Sequence, residues 1–195
     1  MTDLLVICDG SCGWRRHDLG WSAQLYWPHD TSTRIKEQEG QFIPPFRDWV
    51  TPGMGELACL YLALQLTKDY LHELDWTAPL QINCYNDCLT QVENAVLHDP
   101  GSLANMGAEY LAALGQAVHA LKMDLTRAGH DVVIQRPHRG RRSRLIRYAD
   151  DRARWARLHG AAIAPDDVLL AALTDGSIRL RQLRGQALWT ALQYY

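Results

Sequence analysis

The chain has 195 residues, of which 47% are hydrophobic and 22% are charged. These proportions are typical of a globular protein with a full core, and no apolar run approaches the ~20 residues that span a bilayer. Five cysteines, an odd number without regular spacing, do not describe a disulfide framework. We therefore expect a cytoplasmic protein that has no membrane partner.

The spacing of apolar residues predicts five strands and four helices in the order βββ-α-β-α-α-β-α. The expected strands cover residues 4–8, 20–27, 33–42, 80–85 and 131–135. The expected helices cover residues 56–74, 87–97, 103–128 and 145–158. Pro and Gly recur between residues 43 and 55, so that stretch is expected to be a loop. This order of elements predicts a mixed α/β fold.

The segment that follows the last of these helices is predicted to be separated from the rest of the chain by a linker. Residues 160–165 are predicted to be a linker, and residues 166–195 are predicted to hold two helices separated by a short segment at 177–181. We therefore expect a domain over residues 1–160 and a C-terminal appendage over residues 161–195. The appendage is a candidate for binding a protein partner.

Charge is divided unevenly along the chain. Residues 1–135 hold 8 Lys and Arg against 17 Asp and Glu, whereas residues 136–195 hold 12 Arg against 5 Asp. Nine of these arginines fall between Arg136 and Arg157, and Arg is the side chain suited to bidentate phosphate contacts. An Arg-rich surface is typical of nucleic-acid binding, although such a run is also found on an ordinary solvated face.

Four carboxylates occupy comparable places in the predicted elements. Asp9 follows the first strand, Glu56 opens the first helix, Asp87 follows the fourth strand, and Asp150 lies in the last core helix. If the first and fourth strands are neighbours, Asp9 and Asp87 meet at one edge of the sheet, where a packed helix could bring Glu56. Carboxylates this close cannot all stay ionised unless cations offset their repulsion. This favours a site that binds divalent metal ions. Taken singly, each has a structural alternative, such as a turn for Asp9 or an N-cap for Asp87.

Several segments resemble the ribonuclease H family in its type 1 arrangement. The segment "ICDGSC" resembles the first strand of the family, "GWSAQL" its second strand, and "TPGMGEL" the entry to its first helix. The segments "INCYNDC" and "RYADDRARWA" resemble those that carry the third and fourth metal ligands. The resemblance covers roughly residues 3–158. It implies a ribonuclease H-like fold, a mixed five-stranded sheet flanked by helices.

The resemblance also implies a two-metal catalytic site for phosphodiester hydrolysis, most of all in the RNA strand of RNA–DNA hybrids. His138, in "PHRG", is the counterpart of a histidine that assists proton transfer or product departure. Asp151 is the rival to Asp150 as the fourth ligand, but the pattern Ala-Asp-x-x-Ala-Arg favours Asp150 because it sets the alanines on the packing face. The implied ligands of two Mg²⁺ or Mn²⁺ ions are Asp9, Glu56, Asp87 and Asp150.

The nucleic-acid contacts of the family are only partly matched. Its RNA-contacting Asn and Gln positions are occupied here by Gly13-Trp14-Arg15, Pro52-Gly53 and Leu89, and its basic handle is replaced by the neutral to acidic "HDPGSLANMGAEY". The candidate contacts are therefore the main chain at Cys12, Gly13 and Gly53, base stacking on Trp14, and phosphate contacts from Arg139, Arg141, Arg142 and Arg144.

Two alternatives keep the fold and change the function. A DNA nuclease similar to resolvases or transposases would need no recognition of the 2′-hydroxyl. A non-catalytic module that binds nucleic acid or protein would not need four carboxylates. Zinc is a weaker possibility, because the CxxxC pairs at residues 8–12 and 84–88 do not have the spacing of a standard zinc site. The sequence favours a metal-dependent nuclease.

Overall fold

A computed structural model describes residues 2–13, 18–42, 50–86, 108–136, 144–162 and 164–193, with side chains up to residue 183. Strands β1 to β5 cover Thr2–Gly13, Asp18–Trp27, Asp30–Phe42, Leu80–Tyr85 and Asp131–Gln135. Helices α1 to α4 cover Pro52–Glu73, Ala112–Arg127, Arg144–His159 and Asp167–Gln193, and a 3₁₀ turn covers Glu109–Leu111. The helix expected at 87–97 lies outside the described residues.

The five strands form one mixed sheet in the order β3-β2-β1-β4-β5. The pairs β1–β2 and β2–β3 are antiparallel, whereas β1–β4 and β4–β5 are parallel. The parallel pairs need crossover connections, which suit helices that pack on the sheet. The mixed five-stranded sheet with flanking helices that the sequence predicts is therefore confirmed.

The two faces of the sheet are covered by different helices. Val6 and Cys8 of β1 belong to the main core, which also holds buried residues of α1, α2 and α4. Ile7 belongs to a second cluster with Ala149 of α3. Because successive residues of a strand point to opposite faces, Asp9 shares the α3 face of the sheet with Ile7.

Strand β1 is longer than the sequence predicts. The apolar run ends at Cys8, yet the pairing with β2 continues through Asp9, opposite Ser22, to Gly13. The partner strand supplies backbone hydrogen bonds that a local apolar pattern does not reveal. Asp9 therefore lies inside a strand, and the turn alternative for it is wrong.

Helix α1 begins at Pro52, four residues before the expected start. The hydroxyl of Thr51 caps it by accepting a hydrogen bond from the Met54 amide at 3.3 Å. Proline is well suited to the first helical position, because its missing N–H would have no partner there. The Pro-Gly pair that predicts a loop thus forms the first turn of α1.

The C-terminal segment forms one continuous helix, α4, instead of two. Leu169 and Leu173 are buried in the main core, and α4 packs against α2 and α1. Gly176 does not interrupt the helix; a Cβ at that position would lie 2.5 Å from the carbonyl oxygen of Tyr110, so the glycine allows close packing. The division of the chain at residue 160 stays a prediction.

Residues before α4 are joined to the sheet. The Gln41 amide at the end of β3 donates a hydrogen bond to the Ala161 carbonyl at 3.1 Å, inside the segment expected to be a linker.

Across the ranges given above, none of the helices combines the length and apolar character needed to cross a membrane.

Candidate active site

Two of the four predicted metal ligands lie side by side. Asp9 on β1 is 3% exposed, and Glu56 in the second turn of α1 is 7% exposed. The Glu56 carboxylate accepts a hydrogen bond at 3.2 Å from the backbone amide of Gly10, the residue that follows Asp9. Glycine permits this close approach, because a Cβ at Gly10 would lie 2.6 Å from the carbonyl oxygen of Gly55. The structure thus brings the Glu56 carboxylate to the β1 backbone next to Asp9.

A third side chain, Asn86, belongs to this arrangement and was not predicted from the sequence. It follows β4 directly and is 1% exposed. Its Nδ2 donates to Oε2 of Glu56 at 3.0 Å and to Sγ of Cys8 at 3.8 Å. Its backbone amide donates to the carbonyl of Gln135, the last residue of β5, at 3.3 Å. In the sequence, Asn86 is marked only by its position directly before Asp87. Asparagine is common in turns, so that position alone did not indicate a role in the site.

Strands β1 and β4 run toward the same edge of the sheet. They are parallel neighbours, and the last pair of their ladder is Ile7 with Tyr85. Asp9 follows Ile7 by two residues, and Asp87 follows Tyr85 by two residues. The neighbouring strands on which the metal-site prediction depends are therefore present. Asp87 itself lies outside the described residues, as does His138.

Asp150 lies on α3, and its side chain is 24% exposed. Its carboxylate pairs with the guanidinium of Arg154, one turn later, at 2.9 Å. Ala149 and Ala153 are fully buried, as the alanine spacing predicts, and Asp151 is exposed. The packing of α3 thus favours Asp150 over Asp151 as a residue directed toward the body of the protein.

The flank of α3 that carries Asp150 also contacts β1. Arg157 follows Asp150 by seven residues, two helical turns, and its Nε donates to the Ser11 hydroxyl at 3.1 Å. Ser11 is two residues beyond Asp9 on the same face of β1. Within the part of the chain that the structure describes, however, no three His, Cys, Asp or Glu side chains form a group that could hold a metal ion. The role of Asp150 as a ligand stays a prediction.

The charges of Asp9 and Glu56 contribute to the raised pKa of the Cys59 thiol. It lies one turn beyond Glu56, and its Sγ donates to the backbone carbonyls of Asp9 at 2.9 Å and Ser22 at 3.5 Å. Burial is the main cause of the raised pKa of this thiol, and the hydrogen bond with Cys8 and the charges of Cys8, Glu56 and Asp9 raise the pKa further. Cys59 is therefore a neutral donor that supports β1, and it lacks the lowered pKa of a nucleophile.

The predicted nucleic-acid contacts occupy different environments. Cys12 is half-buried, and burial raises the pKa of its thiol to about 11. Gly13 and Gly53 are buried, and a side chain at Gly13 would collide with Arg157. Arg144 is exposed at the start of α3. The remaining candidates lie outside the described residues: Trp14, Arg139, Arg141 and Arg142.

The fold is similar to that of several solved ribonuclease H structures. The N-terminal RNase H domain of a Mycobacterium tuberculosis protein, solved as a fusion with maltose-binding protein, has a TM-score of 0.53 at 18% identity, covering 82% of this chain and 96% of that chain. RNase H1 of Halobacterium salinarum NRC-1 has a TM-score of 0.52 at 15% identity, covering 79% and 96%. LC11-RNase H1, isolated from compost by a metagenomic approach, has a TM-score of 0.55 at 14% identity, covering 80% and 96%.

No protein-family model and no curated protein sequence matches the chain. The similarity to solved structures covers most of the chain at low sequence identity. The protein therefore has a ribonuclease H-like fold, and the resemblance seen in the sequence is confirmed at the level of the fold.

Proposed function

We propose that this protein is a metal-dependent endonuclease that hydrolyses phosphodiester bonds, with the RNA strand of RNA–DNA hybrids as its preferred substrate. The observation that carries the proposal is that the Glu56 carboxylate bonds to the backbone amide directly after Asp9, which places two buried acidic residues at the end of β1 beside its parallel neighbour β4. The fold supports it as well, since LC11-RNase H1 has been solved in complex with an RNA/DNA hybrid, at a TM-score of 0.52 to this chain.

The carboxylate pair is suited to a divalent cation. Two nearly buried like charges repel each other and lose hydration, and a cation offsets both costs. Carboxylate oxygens are the ligands that Mg²⁺ and Mn²⁺ prefer. Asp9 and Glu56 would hold the metal together with Asp87 and Asp150. Two such ions, when bound, supply an activated water and stabilise charge on the leaving oxygen.

The other groups of the chain have separate tasks in this mechanism. The amides of Gly10 and Asn86 both donate to Oε2 of Glu56, which fixes that carboxylate against β1. The burial of Asp9 limits its contact with bulk water, so its charge acts in a region of low dielectric. By the resemblance, His138 transfers a proton near the leaving group. Arg144 and the arginines before it bind backbone phosphates.

The proposal is tested by incubating the protein with an RNA–DNA hybrid, duplex RNA and duplex DNA, each with Mg²⁺, Mn²⁺ or a chelator. Cleavage of the hybrid that requires the metal is the expected result. An Asp9→Asn variant, purified identically, excludes a contaminating nuclease. Asp124→Asn, which changes an exposed carboxylate on α2, is the matched control and should cleave like the wild type. Binding of nucleic acid without cleavage of any substrate would contradict the proposal and indicate a non-catalytic module.

One observation favours a second candidate, a nuclease that cuts DNA. Pro52 and Gly53 form the first turn of α1, next to Glu56, and neither has a side chain that can hydrogen-bond a 2′-hydroxyl. A foamy viral protease-reverse transcriptase solved in complex with dsDNA is also similar in fold, with a TM-score of 0.50 at 15% identity. Cleavage of duplex DNA at a rate equal to that of the hybrid would favour this candidate.

A further inference from the structure

A cavity of about 390 Å³ lies on the α3 face of the sheet, between the β2–β3 hairpin and the first turns of α3. Its lining includes two guanidinium groups and four hydroxyl groups, and none of the described residues that line it is acidic. These groups belong to Arg34, Arg144, Tyr26, Thr31, Ser32 and Tyr148. Two carboxylates beside the cavity use part of this set, because Asp30 accepts a hydrogen bond from the Ser32 hydroxyl at 2.5 Å and Glu37 pairs with Arg34. The remaining donors of the two guanidinium groups and the other hydroxyls are suited to an anion.

Arg34 is held at the wall of this cavity by two neighbours. Its guanidinium carbon lies 4.6 Å from the centroid of the Tyr148 ring, and its Nη1 pairs with Glu37 at 3.0 Å. A guanidinium group has five N–H donors, so the pairing with Glu37 leaves others for a ligand. Its planar geometry matches that of phosphate oxygens.

Arg144 supplies the second charge from the opposite wall. It is the first residue of α3, it is exposed, and it makes no ion pair with any residue that the structure describes. The positive end of the α3 helix dipole lies at this first turn and adds to the attraction for a negative charge. The sequence alone already marked Arg144 as a phosphate contact, but it did not reveal Arg34 on the facing hairpin.

We propose that this cavity is a phosphate-binding site, separate from the carboxylate pair, that takes a phosphoryl group. Two arginines with surrounding hydroxyls are the donors that proteins use against phosphate oxygens. Phosphate of a nucleic-acid strand and phosphate of a free compound present the same oxygens. The two sources are distinguished by experiment below.

The distance between the cavity and the proposed catalytic residue Asp9 can be measured along β1. Tyr26 pairs with Leu5, four residues before Asp9 on β1, and this span is about 13 Å at ~3.3 Å per residue. A span of this length corresponds to a few nucleotides of one strand, so the cavity would receive a phosphate of the strand that passes Asp9. This relation rests on the proposed function, whereas the phosphate affinity of the cavity does not.

The first test measures binding of inorganic phosphate to the full chain by calorimetry, without nucleic acid or metal. We expect Arg144→Ala and Arg34→Gln each to weaken binding by about tenfold, because both remove charged hydrogen bonds. Arg127→Ala is the matched control; it removes the same charge from the end of α2, where Arg127 pairs with Asp124. Because Arg144 is exposed, its variant gives a result even if Arg34→Gln is unstable. Unchanged phosphate binding in Arg144→Ala would overturn the proposal.

The second test measures hybrid-duplex affinity against salt concentration in the Asp9→Asn background. Loss of one phosphate contact in Arg144→Ala should reduce the slope of log affinity against log salt by about 1. A reduced slope together with weaker phosphate binding supports a site for a nucleic-acid strand. Weaker phosphate binding with an unchanged slope supports the site and assigns it to a free phosphate compound. A wild type that binds phosphate here but cleaves nothing would contradict the proposed function and leave this site standing.

Discussion

The side-chain amide of Asn86 donates a hydrogen bond to the carboxylate of Glu56 across 3.0 Å, and both residues are buried. The Gly10 amide donates to the same oxygen at 3.2 Å. Two donors on one oxygen restrict the rotation of the Glu56 side chain. Because Asn86 also bonds to the end of β5, this contact fixes Glu56 relative to the edge of the sheet. Asn86 is thus a positioning residue for a proposed metal ligand.

Replacing Asn86 by alanine should weaken the binding of a divalent cation by about 10- to 100-fold, as expected for groups that orient metal ligands. Mn²⁺ titration followed by electron paramagnetic resonance, without substrate, measures this directly. Asn83→Ala is the matched control, since Asn83 lies on β4, three residues before Asn86, and its side chain accepts a hydrogen bond from the side chain of Gln135 instead of donating to Glu56. Equal losses in the two variants would show that Asn86 supports only the fold.

Asp9→Asn should abolish cleavage while leaving the unfolding midpoint and nucleic-acid affinity close to those of the wild type. The amide keeps the shape of the side chain but removes the charge that would hold a cation. The comparison requires cleavage rate, thermal unfolding and hybrid binding on the same preparation. Cleavage at the wild-type rate would exclude Asp9 as a metal ligand.

Gly10→Ala and Gly55→Ala should change stability in opposite directions, although the two residues are in contact. A Cβ at Gly10 would overlap the Gly55 carbonyl, so we expect a loss of about 1–3 kcal/mol. A Cβ at Gly55 would lie 3.4 Å from its nearest neighbour, and alanine inside a helix is favoured over glycine by about 0.5–1 kcal/mol. Urea unfolding measures both; destabilisation of equal size in the two variants would contradict the described packing of α1 on β1.

His130 should make the protein less stable in acid. It is 5% exposed, and its Nδ1 has no hydrogen-bond partner among the described residues. Burial lowers the pKa of His130 from its ordinary 6.5. The unfolded chain therefore takes up the proton first, so this contribution to stability is complete above pH 6.5 and is lost as the pH falls toward the lower folded pKa.

The measurement is the free energy of unfolding between pH 7 and pH 5 in the wild type and in His130→Gln. The variant should lose less stability over this interval, since the buried ionisable group is gone. His29→Gln, in the exposed turn between β2 and β3, should follow the wild type. Parallel curves for the wild type and His130→Gln would contradict the argument.

The protein should discriminate less between hybrid and DNA duplexes than LC11-RNase H1 does when both are assayed together. By the resemblance seen in the sequence, Pro52, Gly53 and Leu89 occupy RNA-contacting positions, and none of these side chains can hydrogen-bond a 2′-hydroxyl. A site that does not use that group rejects DNA poorly. Relative kcat/KM for a hybrid, a DNA duplex and a duplex with one ribonucleotide tests this. Strict dependence on consecutive ribonucleotides would show instead that the main chain selects the substrate.

Features set by a local pattern could be predicted from the sequence. Strands β4 and β5 have the expected bounds, because each is a short apolar run between polar or turn residues. The buried face of α3 was also predicted, since Ala149 and Ala153 repeat at helical spacing. Asp9 and Glu56 were predicted as metal ligands because their segments resemble those of a family whose fold the structure shares, and their role as ligands stays a prediction.

Features that depend on contacts between distant residues could not be predicted. Strand β1 continues past Cys8 because β2 pairs with it, and nothing local to β1 shows this. Asn86 acts on Glu56, 30 residues earlier, through a hydrogen bond that only the packing of α1 on the sheet creates. In the sequence, a glycine at position 176 is typical of a helix end. Only the structure shows that this glycine lets the Tyr110 carbonyl approach α4 closely.

The packing of α4 into the main core also affects how the protein is made. A ribosome that has completed α1 at Glu73 must add 94 residues before it reaches Asp167, which takes roughly 5–20 s at about 5–20 residues per second. During that time the apolar surface that Leu169 and Leu173 later cover has no partner from this chain. The main core is therefore completed only when the last helix of the described chain is made, so folding of the native core is expected to follow the synthesis of α4.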